Sequence, residues 1–342
     1  MSLNVTDVKW YDQRIKKWRK GYYMDEYLAI NLMGIPKYLA AAWDVVGIVS
    51  GHGKVRIGKS TIAQQVGYFM AWLMSGGKMD RNEETGEWHI KKYPFKTVNF
   101  SIAENIVFTP EDLMKRAREL YNKYGKHQVI IYDEGRTGLD SASAMSAINK
   151  AMADFLQECG AYGHIILIVL PNFFKLHEDY AVNRSLFLID VYANKELRRG
   201  FFDFYNETQK EWLYFMGKRK IGSSLKYYGS SPSFSGRFTT FIPVSKDEYD
   251  KAKTDALKNK ELKRTEKNWK RQRDAALAIL CTDREMSVEE LAEKMTEYSG
   301  TKVSRDTIRH GLLSLKSKLP KEIADKLKEE LDKAKLRDFG DS

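Results

Sequence analysis

DVVGIVSGHGKVRIGKSTIAQQVGYFMAWLM, residues 44–74, decides how this chain is read. A short β-branched run ends in glycine, a loop rich in glycine and basic residues follows, and apolar residues then recur at helical spacing. The pattern predicts strand, loop, helix. Inside the loop, Gly53-x-x-x-x-Gly58-Lys59-Ser60 meets the phosphate-binding loop pattern in the strand-to-helix context that gives the pattern its meaning. The backbone of Gly53, Lys54, Val55, Arg56, Ile57, Gly58, Lys59, Ser60 and Thr61 would curl around a phosphate, aided by the positive end of the helix. Lys59 would reach the β- and γ-phosphates, and the Ser60 hydroxyl would ligate Mg²⁺. The bland alternative is a glycine turn with a chance lysine; the flanking strand and helix weigh against it.

Working outward, VIIYDE (129–134) reads as a buried strand ending in two carboxylates. Asp133 would hold Mg²⁺ through water, and Glu134 would polarise an attacking water. Between the loop and this strand, NIVF (105–108) reads as a strand, and residues 109–126 read as a helix with full boundary signals. Thr109 caps it, Pro110 opens it, Glu111 and Asp112 follow, and Gly125 ends it. A helix over 143–159, a strand in HIILIVLP (164–171) and another in SLFLIDVYA (185–193) come next. Apolar strands separated by helices require a mainly parallel sheet covered on both faces, an α/β architecture. GFFDFYNETQKEWLYFMGK (200–218) shows two alternating runs around a polar turn, which predicts an antiparallel hairpin at the sheet edge. Residues 76–94 read as a surface hairpin turning at Thr85-Gly86.

GKVRIGKST with VIIYDE on a later strand and the further strand HIILIVLPN resembles the P-loop ATPases of the additional-strand catalytic-glutamate division. Within it, the RecA-like FtsK/HerA branch of DNA translocases and packaging motors is the most similar. The resemblance covers residues 44 to 195. It implies ATP and Mg²⁺ as cofactors and a homo-oligomeric ring, a hexamer being one expected form, with each site completed by a neighbour. That family commonly ends the strand after the carboxylate pair in a polar sensor, usually Gln; Asn172 stands at the matching place here. An arginine finger is also expected, to meet transition-state charge on the γ-phosphate. Arg184 in YAVNRSL is the first choice and Arg136 in DEGRTGLD the second. Lys54 holds the spacing from Lys59 of the signature lysine in ParA/MinD partition ATPases. Those proteins, however, need glycines where Val55 and Arg56 stand, and they lack the glutamate after Asp133.

Composition sets the outer limits. With 57 Lys and Arg against 46 Asp and Glu, the net charge is +11, which favours a polyanionic partner, nucleic acid ahead of a membrane surface. Two cysteines, Cys159 and Cys281, leave no disulfide framework and no paired metal-ligand motif, as fits a reducing cytoplasm. His164 and Cys159 read as core residues. The longest apolar run, IILIVL, is far short of a membrane span, and the polar, basic N-terminus gives no signal peptide.

The expected organisation is an extension (1–40) serving as lid or docking arm, an ATPase domain (41–245) and a charged linker helix (246–269). A small all-α helix-turn-helix-like domain (270–320) and a charged tail helix (321–342) complete it. In the third of these, Ser287 and Glu290 form a capping box. Ser304 caps a final helix with Ile308, Leu312, Leu315 and Leu319 on one face. The other face carries Arg305, Arg309 and Ser314, with Lys302 just ahead. This resembles the recognition helix of helix-turn-helix proteins, and it makes double-stranded DNA the expected partner. Three readings stand at this point: a ring translocase, an ATP-dependent DNA-binding switch such as a partition or loader protein, and a nucleotide-sensing DNA-binding regulator.

Overall fold

The computed structural model describes residues 2–12, 17–43, 45–51, 56–86, 88–92, 98–133, 162–219, 230–283, 286–300, 302–316 and 325–328. The chain divides into two compact units, Met1–Leu257 and Lys258–Ser342.

In the first unit the strands are β1 (Ser2–Asp12), β2 (Lys17–Asp25), β3 (Val45–Ser50), β4 (Lys78–Arg81), β5 (Trp88–Lys92) and β6 (Ile106–Val107). They continue with β7 (Val129–Asp133), β8 (Ile165–Val169), β9 (Phe187–Tyr192), β10 (Phe201–Tyr205) and β11 (Phe234–Arg237). The helices are α1 (Glu26–Met33), α2 (Ile35–Ala40), α3 (Lys59–Met74), α4 (Ile102–Asn105), α5 (Pro110–Tyr124) and α6 (Glu207–Arg219). The long helix α7 (Lys246–Asp283) starts in this unit and continues into the second.

Seven strands form one sheet in the order β11-β10-β9-β3-β8-β7-β6. From β9 through β6 every neighbour pair is parallel, and β10 runs antiparallel to both β9 and β11. Parallel strands need both faces covered, and the side chains alternate accordingly. Val45, Val49, Val129, Ile131, Leu167, Val169, Ile189 and Val191 enter a core with α3, α1 and α2. Val46, Ile48, Ile130, Tyr132, Ile166, Ile168 and Leu188 enter a second core with α5 and α6. Each such fully buried aliphatic contributes about 1.5–3 kcal/mol. The arrangement is an α/β sandwich compatible with a RecA-like fold.

Local chemistry explains the elements. The Thr109 hydroxyl accepts from the Asp112 amide at 3.2 Å to cap α5, Pro110 opens it, and Gly125 takes φ +81° just past its end. Gly47 lets β3 lie close to its neighbours, because a Cβ there would come within 2.3 Å of the Phe187 ring and 2.9 Å of Leu167. β4 and β5 pair antiparallel around the turn at 82–86, as expected for the surface hairpin.

One expectation changes. EWLYFMGK is the body of α6, not the second strand of a hairpin: Leu213, Tyr214 and Gly217 are buried at helical spacing, and the antiparallel edge comes from β9, β10 and β11 instead. From Met24 onward the extension packs on the sheet, since Leu28, Ala29, Leu32, Ile35 and Leu39 lie in the same core as β3 and α3. The helix expected over 143–159 lies outside the described residues.

In the second unit, the end of α7, α8 (Val288–Ser299) and α9 (Arg305–Lys316) share a small core of Leu277, Ala278, Val288, Leu291, Ala292, Ile308 and Leu312. Ser287 caps α8 by accepting from the Glu290 amide at 3.1 Å, and Gly300 ends it at φ +64°. Ser304 accepts from the Thr307 amide at 3.2 Å at the start of α9.

Candidate functional site

β3, β8 and β7 are adjacent and parallel, so their C-terminal ends lie side by side. Val49 and Asp133 both register with Val169 of β8, which stands between them. β3 leads through Ser50 and Gly51 toward the loop, and α3 begins after Gly58. Gly58 adopts φ +102°, and a Cβ on it would come within 2.8 Å of the Phe238 ring. Backbone conformation and close approach thus both require glycine there. Gly58 supplies no side-chain cap to the start of α3, the helix end whose amides of Lys59, Ser60 and Thr61 carry partial positive charge. Exposed Arg56, two residues earlier, also lies in the left-handed region at φ +59°.

Asp133 is 2% exposed at the end of β7. The Tyr249 hydroxyl donates to its Oδ2. Lys253 Nζ donates to its Oδ1 at 3.4 Å and to the Tyr249 phenol oxygen at 3.0 Å. Ser60 lies beside the Tyr249 phenol. One phenol from the first turn of α7 therefore stands between the serine of the loop and the aspartate of β7. Burial pushes the Tyr249 pKa well up; the Asp133 charge and the hydrogen bond to it push the same way, and Ser60 opposes them. Burial pulls the Lys59 pKa down, Asp133 and Asp190 counter this, and Lys253 adds to the depression. Asp190, fully buried near the end of β9, is paired in register with Ser50.

The structure thus brings together Lys59, Ser60 and Asp133, with Arg56, Ile57, Gly58 and Thr61 around the start of α3. Gly53, Lys54, Val55, Glu134 and Arg136 lie outside the described residues, as does Cys159. Asn172 follows β8 at the same sheet edge, where its Oδ1 accepts from the Phe174 amide at 2.9 Å and caps a short 3₁₀ turn. Arg184 is exposed and precedes β9, at the N-terminal end of the parallel strands: the Leu186 amide two residues on donates to Val46 O at the start of β3. It therefore sits at the opposite end of the sheet from Lys59. His164 is a core residue, accepting from the Gln128 amide at 3.1 Å and lying 3.0 Å from Ala117 O.

In the second unit, Lys302 is exposed and Arg309 is half-buried. Exposed Arg305 is 3.5 Å from Glu289, an ion pair screened by solvent and worth less than about 1 kcal/mol. Ser314 belongs to α9, and its side chain lies outside the described residues.

Reading from sequence missed Tyr249, Lys253 and Asp190. Residues 246–274 look like a solvated linker by composition. The available signal is SKDEYDKAK (245–253): Ser245 accepts from the Glu248 amide at 3.4 Å at the helix start, and an aromatic and a cation then fall four residues apart on one face.

The residues present suit a magnesium nucleotide. The donor set is a lysine, a hydroxyl and the amides of a helix start for phosphate, with Ser60 and Asp133 as oxygen ligands for a hard cation that keeps several waters. The Ser50 hydroxyl, buried at the end of β3, has no hydrogen-bond partner among the described residues, which places a further polar atom at this edge. No group of three or more His, Cys, Asp or Glu fit to hold a metal occurs among the described residues, so a metal here would depend on phosphate and water for the rest of its shell. No protein-family model matches the sequence, and no curated protein does. No helix among the described residues is long and apolar enough to cross a membrane.

Proposed function

We propose that the chain is an ATP-hydrolysing motor acting on double-stranded DNA as a homo-oligomeric ring, built on a RecA-like P-loop ATPase domain. The observation that carries this reading is the meeting of Lys59, Ser60 and Asp133 at the C-terminal ends of β3 and β7, with the extra strand β8 between them. A strand in that place is what the resemblance to the additional-strand division implies. Lys59 and the first amides of α3 bind the β- and γ-phosphates. Ser60 and Asp133 hold Mg²⁺, which when bound neutralises charge developing on the phosphates. Glu134, next in the chain after Asp133, orients and deprotonates the attacking water, and Asn172 at the same edge senses the γ-phosphate. Arg184, at the far end of the strands from its own Lys59, serves a neighbouring subunit's site. Lys302, Arg305, Arg309 and Ser314 grip DNA from a helix-turn-helix-like second unit, in a cytoplasmic protein.

A second reading, an ATP-dependent DNA-binding switch, is favoured by one specific contact. α7 touches Asp133 through Tyr249 and Lys253 in the first unit, and the same helix continues into the second.

ATP turnover by the full chain, with and without duplex DNA, together with displacement of a bound protein roadblock, tests and separates these readings. The motor is expected to turn over faster with DNA and to strip the roadblock. ATP-dependent DNA binding without displacement would select the switch. No turnover under either condition would overturn the hydrolytic reading.

A further inference from the structure

We propose that Tyr249 and Lys253 stand in for the metal, and that binding of Mg²⁺ with nucleotide displaces them from Asp133, freeing the start of α7. The inference rests on the nucleotide reading above and adds to it a mechanical output.

Three observations support it. First, both carboxylate oxygens of Asp133 are engaged from the same helix face, Oδ2 by the Tyr249 hydroxyl and Oδ1 by the Lys253 ammonium at 3.4 Å. A divalent cation held at Asp133, directly or through water, competes with both donors for these oxygens. Second, the charges argue the same way. A carboxylate with a side chain only 3% exposed requires a donor or a cation, which Tyr249 and Lys253 supply when no metal does. Once Mg²⁺ supplies it, the Lys253 ammonium becomes a like charge at close range. Third, the pair is held as a unit. The Phe108 ring packs on Tyr249 at 5.6 Å, Lys253 lies over the same ring at 5.3 Å, and the Tyr249 amide donates to Ser245 O at 3.0 Å in the first turn of α7. Tyr249 and Lys253 are four residues apart and move together as one turn of helix. The state of the phosphate site is thereby written into the position of Lys246–Leu257, the part of α7 that lies in the first unit.

The test uses the full chain and the non-hydrolysable analogue AMP-PNP. Hydrogen exchange of the amides in 246–257 is followed with analogue plus Mg²⁺ and with analogue plus EDTA. Calorimetry compares wild type with the double variant Tyr249→Phe, Lys253→Met. Exchange in this segment is expected to accelerate with Mg²⁺ and not with EDTA. The double variant is expected to bind the magnesium complex about tenfold more tightly, with little change in EDTA, because hydrogen bonds to a charged group that must be broken on binding are gone. Analogue binding with unchanged exchange in 246–257 and unchanged affinity in the variant would overturn the displacement alone. No binding to either protein would overturn the nucleotide reading with it. The exchange measurement on wild type decides the matter even where the variant fails to fold.

Discussion

Glu134→Gln is expected to lower ATP turnover by about 10²–10⁴-fold while leaving nucleotide affinity nearly unchanged, the loss typical of a removed general base. Glu134 directly follows Asp133, which the structure places at the sheet edge beside Ser60. The substitution keeps size and hydrogen-bonding capacity and removes only the charge that polarises water. Lys59, Ser60 and Asp133 remain to hold phosphate and metal, so binding survives while the chemical step fails. Turnover by radiolabelled phosphate release and affinity by calorimetry check the two halves separately. Turnover equal to wild type would remove Glu134 from its role. Loss of binding would mean that it shapes the pocket instead.

The second large effect concerns stability. Lys210 of α6 is fully buried, with its ammonium donating to Val182 O at 2.9 Å, to Ser185 Oγ at 2.7 Å and to Ser185 O. These acceptors bracket Arg184, so Lys210 fixes the segment that carries the proposed arginine finger. Burial pulls the Lys210 pKa from 10.5 to about 8, against the opposing pull of Glu207 and Glu211. Because the folded-state pKa is the lower one, the unfolded chain binds more protons between about pH 8 and 10.5, and stability rises with pH across that window. The cost of the buried charge is fully present below pH 8. Between pH 7.5 and 10, wild type is expected to gain about 2 kcal/mol over Lys210→Met, measured as the difference in unfolding free energy in urea. Taking the difference and stopping at pH 10 limits the contribution of Tyr205 and Tyr249, whose raised phenol pKa values lower stability as the pH climbs past 10. Lys210→Met also deprives the Val182 and Ser185 carbonyls of this donor, at about 1–3 kcal/mol each, so the variant is expected to be less stable at pH 10. A pH-independent difference would show that the ammonium is not held in a desolvated site.

Much of this was legible in the chain because local signals and tertiary demands agree. The β-branched runs at 45–50, 129–133 and 165–169 are buried on both faces, and they read as strands for the same reason that they sit in mid-sheet. Thr109, Pro110 and Gly125 bound α5 as their chemistry requires. Asp133, distant in sequence from the adjacent Lys59 and Ser60, was placed with them by pattern, and the three lie together in the fold.

The failures have equally specific causes. Trp212–Met216 in EWLYFMGK is an unbroken apolar run short enough to fit either period, and burial of Leu213, Tyr214 and Gly217 on one side selects the helix. A Cβ on Gly217 would come within 2.0 Å of the Phe174 ring, a contact no local pattern reveals. Tyr249 and Lys253 were hidden because charge density in a helix normally marks a solvated face. Only the fold shows that the first turns of this helix point at a buried carboxylate more than a hundred residues away. Asn172 stands where a sensor is expected, yet its carbonyl oxygen caps the turn that follows.

The most direct test of the central claim is a calorimetric titration of ATP with Mg²⁺ into the full chain and into Lys59→Ala. The account requires one site per chain in wild type and at least a tenfold loss of affinity in the variant, since a charge-assisted bond to phosphate contributes about 1.5–3 kcal/mol. Wild type that takes up no nucleotide, or a variant that binds as tightly as wild type, would contradict it.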